Sequence, residues 1–271
     1  MSVFLTTFLL LQIILLFLYK SFIVDIAKKN EKNLVENTLQ IYHNTMESVL
    51  ERLDDNLDLL LGCRLLLTQL NGENNLEKVK AQHQMLQILK ERCKDTKEAD
   101  AYAIVNCKDN SILIQRNGNI TYDTIKDIKK YLQKRNTFDK TPTSGWTSTV
   151  MGEQVYLVKY YNYGANTIAV LISEKRLDSL LNYNDMSIKE AAFYLTDKKG
   201  KILCGSGEDW TYGEAIENLQ KQDPSISIYR GSVLEDAYQM YYSVKSSEYA
   251  AYSTSGIAIF GFLVLSLLFF G

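Results

Sequence analysis

Both ends of this chain are free of charge and its middle is not. No acidic or basic side chain occurs from Met1 to Tyr19 or from Tyr249 to Gly271, so all 30 Lys and Arg and all 32 Asp and Glu lie between Lys20 and Glu248. From Val3 to Leu18 the first segment is dominated by Leu, Ile and Phe. At about 1.5 Å rise per residue it nearly crosses a hydrocarbon core of about 30 Å. A cleaved signal peptide is the rival reading, but no basic region precedes the apolar run and no small-x-small site precedes Lys20, so an anchor is expected. At the other end, GIAIFGFLVLSLLFFG has the glycine and aliphatic usage of a second span, cut short at Gly271. The charged segment between them is expected to be a loop domain on one side of a membrane. Lys20, Lys28, Lys29 and Lys32 favour the cytoplasm by a plain count of positive charge, but that rule weakens for long translocated loops and leaves the side open.

Within the loop, one pattern is written twice. FYLTDKKGKILCG, from Phe193, is an apolar run that meets a polar turn and becomes apolar again, and AYAIVNCKDNSILIQ, from Ala101, does nearly the same. Both read as β-hairpins. After the first hairpin come a helix over about Tyr122 to Arg135 and three strands in GWTSTVM, QVYLVKYYN and NTIAVLIS, the last two joined at Tyr163-Gly164-Ala165. That order predicts a five-stranded antiparallel sheet with its helix between the second and third strands. A short helix, Glu174 to Leu181, leads to the second hairpin, a helical patch near Glu214 to Lys221, and strands in SISIYRGSV and DAYQMYYSVKS. The second unit is smaller and has the same order.

Ahead of both units the chain has almost no helix breaker for about forty residues. Leu39, Tyr42, Met46, Val49, Leu53, Leu57 and Leu60 recur at steps of three and four, one continuous face of a helix rising from the membrane. That face suits packing on the domain's own sheets, and its near-heptad spacing also suits a homodimer seam. Gly62 and Asn71 to Asn75 bracket a looser region. A second helix is expected from Leu76 to Arg92, with Leu76, Val79, His83, Leu86 and Leu89 on its packed side. The expected class is therefore α+β: a transmembrane helix over 1–19, a long helix over 20–70, a first unit over 71–182, a second over 183–248, and a second span over 249–271.

Several function classes fall away. Net charge is −2 and the isoelectric point about 5.8, and no basic patch interleaved with aromatics appears, so nucleic acid is not an expected partner. Cys63, Cys93, Cys107 and Cys204 have no C-x-x-C spacing, and only His43 and His83 could join them, so neither a metal site nor a cofactor is expected. A Cys63 to Cys93 disulfide is permitted outside a cell, while Cys107 and Cys204 read as free thiols in strands. Ser144-Gly145-Trp146 is no nucleophile elbow, and Asp54 and Asp55 read as solvated helix charge, so no enzymatic activity is expected.

The best binding candidates cluster near the third and fourth strands. In QVYLVKYYN, Val155, Leu157, Lys159 and Tyr161 share one face and Tyr156, Val158 and Tyr160 the other. A cation in mid-strand must find water, an acid or a ligand. Lys159 is the polar candidate, Trp146 and Tyr161 are its walls, and Arg116 is a second cation for a small polar ligand. The alternative is that Lys159 snorkels along an exposed face and Trp146 is core.

The long helix ending in ESVLERLDDNLDLLLG, the Ser144-Gly145-Trp146 strand entry, the D-x-x-G-x-I-L hairpin at Asp197 to Leu203, and SVKSSEY before the second apolar segment together resemble the double Cache, PAS-like sensor region of bacterial membrane receptors. The resemblance spans the chain. It is greatest to extracytoplasmic sensors of histidine kinases with a GHKL-type ATPase and of membrane-bound AraC-type regulators of Firmicutes. It implies an extracytoplasmic receptor region whose membrane-distal sheet binds a small molecule, whose proximal unit relays, and whose transmitter lies beyond Gly271. Amino-acid-binding members of the family carry an Arg shortly before a Trp-Tyr pair. Here Thr143-Ser144-Gly145 precede Trp146 and Thr147 follows it, which departs from that pattern. A membrane-anchored scaffold that binds an extracytoplasmic protein, without its own pocket, is the competing expectation.

Overall fold

The computed structural model describes residues 2–118, 120–136, 145–181, 191–206, 210–234 and 238–245. It opens with one continuous helix, α1 (Ser2–Gly62), followed by α2 (Arg64–Leu70) and α3 (Asn75–Asp95). The segment expected to be loose between Gly62 and Asn71 is thus mostly helical, since Arg-Leu-Leu-Leu-Thr-Gln-Leu has helix-forming residues and buries Leu67 and Leu70. Asn74 caps α3 by accepting hydrogen bonds from the amides of Leu76 and Glu77.

Two antiparallel sheets follow. The first contains β1 (Ala101–Asn106), β2 (Ser111–Arg116), β3 (Thr147–Met151), β4 (Gln154–Tyr163) and β5 (Asn166–Ser173), in spatial order β2-β1-β5-β4-β3, with α4 (Tyr122–Arg135) inserted after β2. After α5 (Glu174–Leu181), the second sheet is built from β6 (Ala191–Asp197), β7 (Ile202–Gly205), β8 (Ile226–Leu234) and β9 (Tyr238–Lys245), in order β7-β6-β9-β8, with α6 (Ile216–Gln222) again after its first hairpin. The repeated hairpin has a shared local cause. Asn106 Oδ1 accepts from the amides of Lys108 and Asp109, and Asp197 Oδ1 accepts from those of Lys199 and Lys201, so each chain reversal is held by the side chain at the strand's end. Gly200 completes the second turn at φ +74°.

Each sheet is sandwiched. Tyr102, Ile104, Leu157, Ile168, Val170 and Ile172 of the first, and Phe193, Leu195, Met240 and Tyr242 of the second, share one apolar core with α1, α2 and α3. The opposite faces bury separate clusters under α4, through Ile128 and Leu132, and under α6, through Ile216 and Leu219. The α1 stripe runs from Val35 to Leu60 as the periodicity predicts, and Leu39, Met46 and Leu53 are 5%, 1% and 0% exposed. Those three positions are covered by the chain's own sheets: Tyr42 lies edge-on to Phe193 at 5.3 Å, and Leu39 approaches Gly231 of β8.

The face of α3 differs from expectation except at Leu89, which is buried as expected. Ala81, Met85, Leu89 and Cys93 are buried, whereas Leu76, Val79 and Leu86 are exposed, as is His83. Both stripes have helical spacing, and the one lined by Ala and Met wins because small and flexible side chains let the helix lie close against β1 and β2. All four cysteines are free thiols, and Cys93 donates its S–H to the Gln115 carbonyl. Among the described residues no helix is long and apolar enough to cross a membrane. The expected span over 249–271 lies outside the described residues, as do most side chains of the span expected over 1–19. On α3, Met85→Ala should cost about 2–5 kcal/mol of stability and Val79→Ala under about 0.5. Denaturation midpoints that reversed this ranking would mean that the helix presents its other face to the sheet.

Candidate functional site

Three of the four residues expected to bind ligand stand on the α1-facing side of the first sheet. β4 alternates as its sequence requires: Leu157 and Tyr161 pack with the α1 core, while Tyr156, Val158 and Tyr160 belong to the cluster under α4. Lys159, 6% exposed, lies on the α1 side and forms an ion pair with Asp54 of that helix. Tyr161 lies within electrostatic reach of Asp58, one helical turn further on. Burial pushes its phenol upward in pKa, the Lys159 charge opposes this, and the carboxylates of Asp58 and Asp54 reinforce it. Trp146 enters β3 next to Thr147, which pairs with Val158, and at 3% exposure it is core in the same cluster.

The mid-strand cation therefore finds its acid within the chain, and Asp54 is a buried-edge partner of the sheet, not a solvated helix charge. The two residues are 105 positions apart, so neither local pattern carries the pairing. Asp54 and Asp58 flank the apolar stripe one turn apart, which is the only trace of it in the sequence. Arg116 is not part of this group. It ends the edge strand β2 and donates a hydrogen bond to the Ile120 carbonyl.

On the opposite face of the sheet, where β1 and β4 begin and β5 ends, lies a cleft of about 430 Å³. Its lining includes Asp100, Gly118, Gln154, Tyr156, Ser173 and Arg176. Lys175 and Ser179 of α5 add a second cation and a hydroxyl, and Ile120 sets the cleft beside Arg116. Asp100, 7% exposed, is engaged at both oxygens: Oδ2 accepts from the Ser173 amide and Oδ1 is 3.5 Å from Arg176 Nε. Gly118 permits this pairing, because a β-carbon there would stand 3.3 Å from Asp100 Oδ1 and 3.5 Å from Arg176 Nη2. Tyr156 donates its hydroxyl to Gln154 Oε1, and burial, with smaller contributions from Asp100 and Glu174, pushes its pKa up to about 12. Ser173 Oγ accepts from the Arg176 amide and caps α5.

The cleft is of ligand-pocket size and has a few convergent polar groups over an apolar floor. Its strongest signal in the sequence would have been Glu174-Lys175-Arg176, a charged run directly after a fully buried strand. Among the described residues no group of three or more His, Cys, Asp or Glu is placed to hold a metal ion.

The Lys159–Asp54 pair lends itself to a double-mutant cycle. Removing either partner leaves the other a poorly solvated charge, so Lys159→Met and Asp54→Leu should each destabilise the fold by more than the double substitution does, with a coupling of about 1–3 kcal/mol. Additive losses in chemical denaturation would show that the contact does not hold helix and sheet together.

No protein-family model matches the sequence and no curated protein matches it. Solved structures do resemble it. The periplasmic sensory domain of the Campylobacter jejuni chemoreceptor Tlp1 matches with a TM-score of 0.57 at 8% identity, over 81% of this chain and 96% of that one. The sensory domain of C. jejuni chemoreceptor Tlp3 with isoleucine bound matches with a TM-score of 0.50 at 14% identity, over 83% and 96%. The ligand-binding domain of the Pseudomonas aeruginosa amino-acid chemoreceptor PctB, in complex with L-Arg, gives 0.50 at 13%, over 79% and 96%. At these identities the likeness is one of fold: two antiparallel sheets carried on one long helix.

Proposed function

We propose that this chain is the sensing region of a two-span bacterial membrane receptor, with residues 20–248 outside the cytoplasm and the segments 1–19 and 249–271 as its spans. The observation that carries this reading is the tandem of sheets on a single helix, an arrangement shared with chemoreceptor sensory domains over 96% of their length. The first unit, 71–182, is the membrane-distal one and binds a small polar molecule in the cleft beside α5. The second unit, 183–248, is proximal and relays to a cytoplasmic transmitter, of the histidine-kinase or AraC type suggested by the sequence resemblance. Binding and relay are the whole task; no chemical step is assigned to any residue.

In this reading Lys159, Trp146 and Tyr161 couple the sheet to α1. Strand β4 carries Tyr156 of the cleft on one face and Lys159 and Tyr161 on the other, so a small displacement of the strand on binding is passed to Asp54 and Asp58. A ligand biases such a shift only by its differential affinity for two arrangements, and shifts of about 1–2 Å at packed helices separate such states. A second reading, docking of an extracytoplasmic protein, is favoured by the outward apolar residues Leu76, Val79 and Leu86 on α3.

Thermal unfolding of the purified chain in the presence of amino acids, organic acids, sugars and short peptides tests the proposal. A ligand at a hundred times its dissociation constant should add about 2.7 kcal/mol of stability. If no class moves the midpoint, the pocket reading falls and the docking reading gains.

A homodimer through α1 is part of the same proposal. Its seam uses the outward residues Leu34 and Ile41, 45% and 42% exposed and two helical turns apart, because the inward stripe is occupied. Cysteines placed at Leu34 and Ile41 should crosslink between subunits, and cysteines at Leu39 and Met46 should not. Equal crosslinking at all four positions, or none at the first two, would defeat the seam.

A further inference from the structure

We infer that the cleft beside α5 takes a small oxyanion, a molecule presenting a carboxylate or phosphate group and no ammonium group. The inference rests on the sensing reading and specifies the chemistry of its ligand. Among the described residues three charged side chains line the cleft: Asp100, Lys175 and Arg176. Both carboxylate oxygens of Asp100 are already engaged, by the Ser173 amide and the Arg176 guanidinium. It neutralises one cation, and with each oxygen already holding a donor it offers an incoming ammonium less than an unpaired carboxylate would.

The cations are not exhausted in the same way. Arg176 meets Asp100 through Nε, while Nη2 lies beside Gly118, which itself lines the cleft. A guanidinium has five N–H donors, so a planar bidentate group remains for a carboxylate or phosphate. Lys175 is exposed at the rim and adds a full positive charge. Helix α5 starts at this edge; its N-terminal dipole has the same sign, and Glu174 in its first turn offsets part of it. Ser179 lines the same wall and Gln154 the opposite one, and both can hydrogen-bond a second polar group of the ligand. The Tyr156 hydroxyl stays protonated because its pKa is raised, so it brings no negative charge to the cleft at neutral pH. Among the described lining side chains the balance is one cation in excess, and Glu174, which acts on Tyr156 from the start of α5, does not itself line the cleft; with Ile120 and the Tyr156 ring adding apolar surface, this suits a small acid with a short carbon skeleton.

The same wall touches the second unit. α5 packs on β4 and β5 of the first sheet and also on β7 of the second. An anion bound to Lys175 and Arg176 therefore pulls on the element that joins the two sheets.

The test uses the full chain in detergent, with thermal unfolding and titration calorimetry, and with succinate, inorganic phosphate, L-isoleucine and L-arginine as probes. Succinate or phosphate should raise the midpoint and bind, with an affinity that falls as salt screens the cations. Succinate binding alone would identify a carboxylate site, and phosphate binding alone a phosphate site. Lys175→Gln, which alters an exposed side chain, and Arg176→Gln should each weaken the bound anion about tenfold, the usual size of a charge-assisted hydrogen bond. Because Arg176→Gln also removes the partner of Asp100, Arg176→Lys serves as its folded control and should retain part of the affinity. Anion binding indifferent to both positions would overturn the inference, and so would binding of the two zwitterions alone; the sensing reading survives either result. Absence of binding by every probe, and by every class in the wider screen, would overturn both.

Discussion

One helix face supports two sheets, and everything else in the molecule depends on that. From Val35 to Leu60 the buried positions of α1 follow steps of three and four without a break, a stretch of about 37 Å at 1.5 Å per residue. Near its start this stripe meets aromatic residues of the second sheet, with Tyr42 against Phe193 and Tyr242. Near its end it meets the first sheet through Asp54 and Lys159. The sheets do not need a large interface with each other, because each is positioned by the same rod. α5 is then free to serve as the second connection, and a cleft forms where that connection leaves the first sheet.

The ion pair on α1 gives this packing a direction along the helix axis. Apolar contacts between a helix and a sheet tolerate small slides, whereas a charge pair with little solvent around it does not. Lys159 and Asp54 fix which turn of α1 faces which residue of β4. On the same side of the sheet the buried Asn106 and Asn166 donate to the Leu70 and Leu67 carbonyls of α2, so polar contacts set the register against α2 as well as α1.

Much of the architecture could be read from local pattern. The hairpins at Ala101 and Phe193 were legible because a polar turn interrupts alternating apolar residues, and the faces of β4 followed from simple alternation along Gln154 to Tyr163. The α1 stripe was legible from its spacing. The face of α3 was not, since Leu76, Val79 and Leu86 form as regular a stripe as Ala81, Met85 and Leu89. Only the closeness of the neighbouring sheet decides between them. The role of Lys159 was half legible: a mid-strand cation demands a partner, but nothing near it in the chain identifies Asp54. The cleft was missed because its walls come from β4, β5, α5 and the segments that precede β1 and follow β2, and Asp100 and Arg176 are 76 positions apart and meet only in the folded chain.

The thiols have a consequence of their own. Burial, with a small contribution from Asp100, pushes Cys93 up to about 11, which disfavours the nucleophilic thiolate. Burial moves Cys204 and Cys107 in the same direction. No cross-link closes a loop in this fold, and its cohesion comes from side-chain packing. Reductants therefore have no bond to break in this fold, and at Cys93 and Cys204 oxidants and alkylating agents meet a buried thiol.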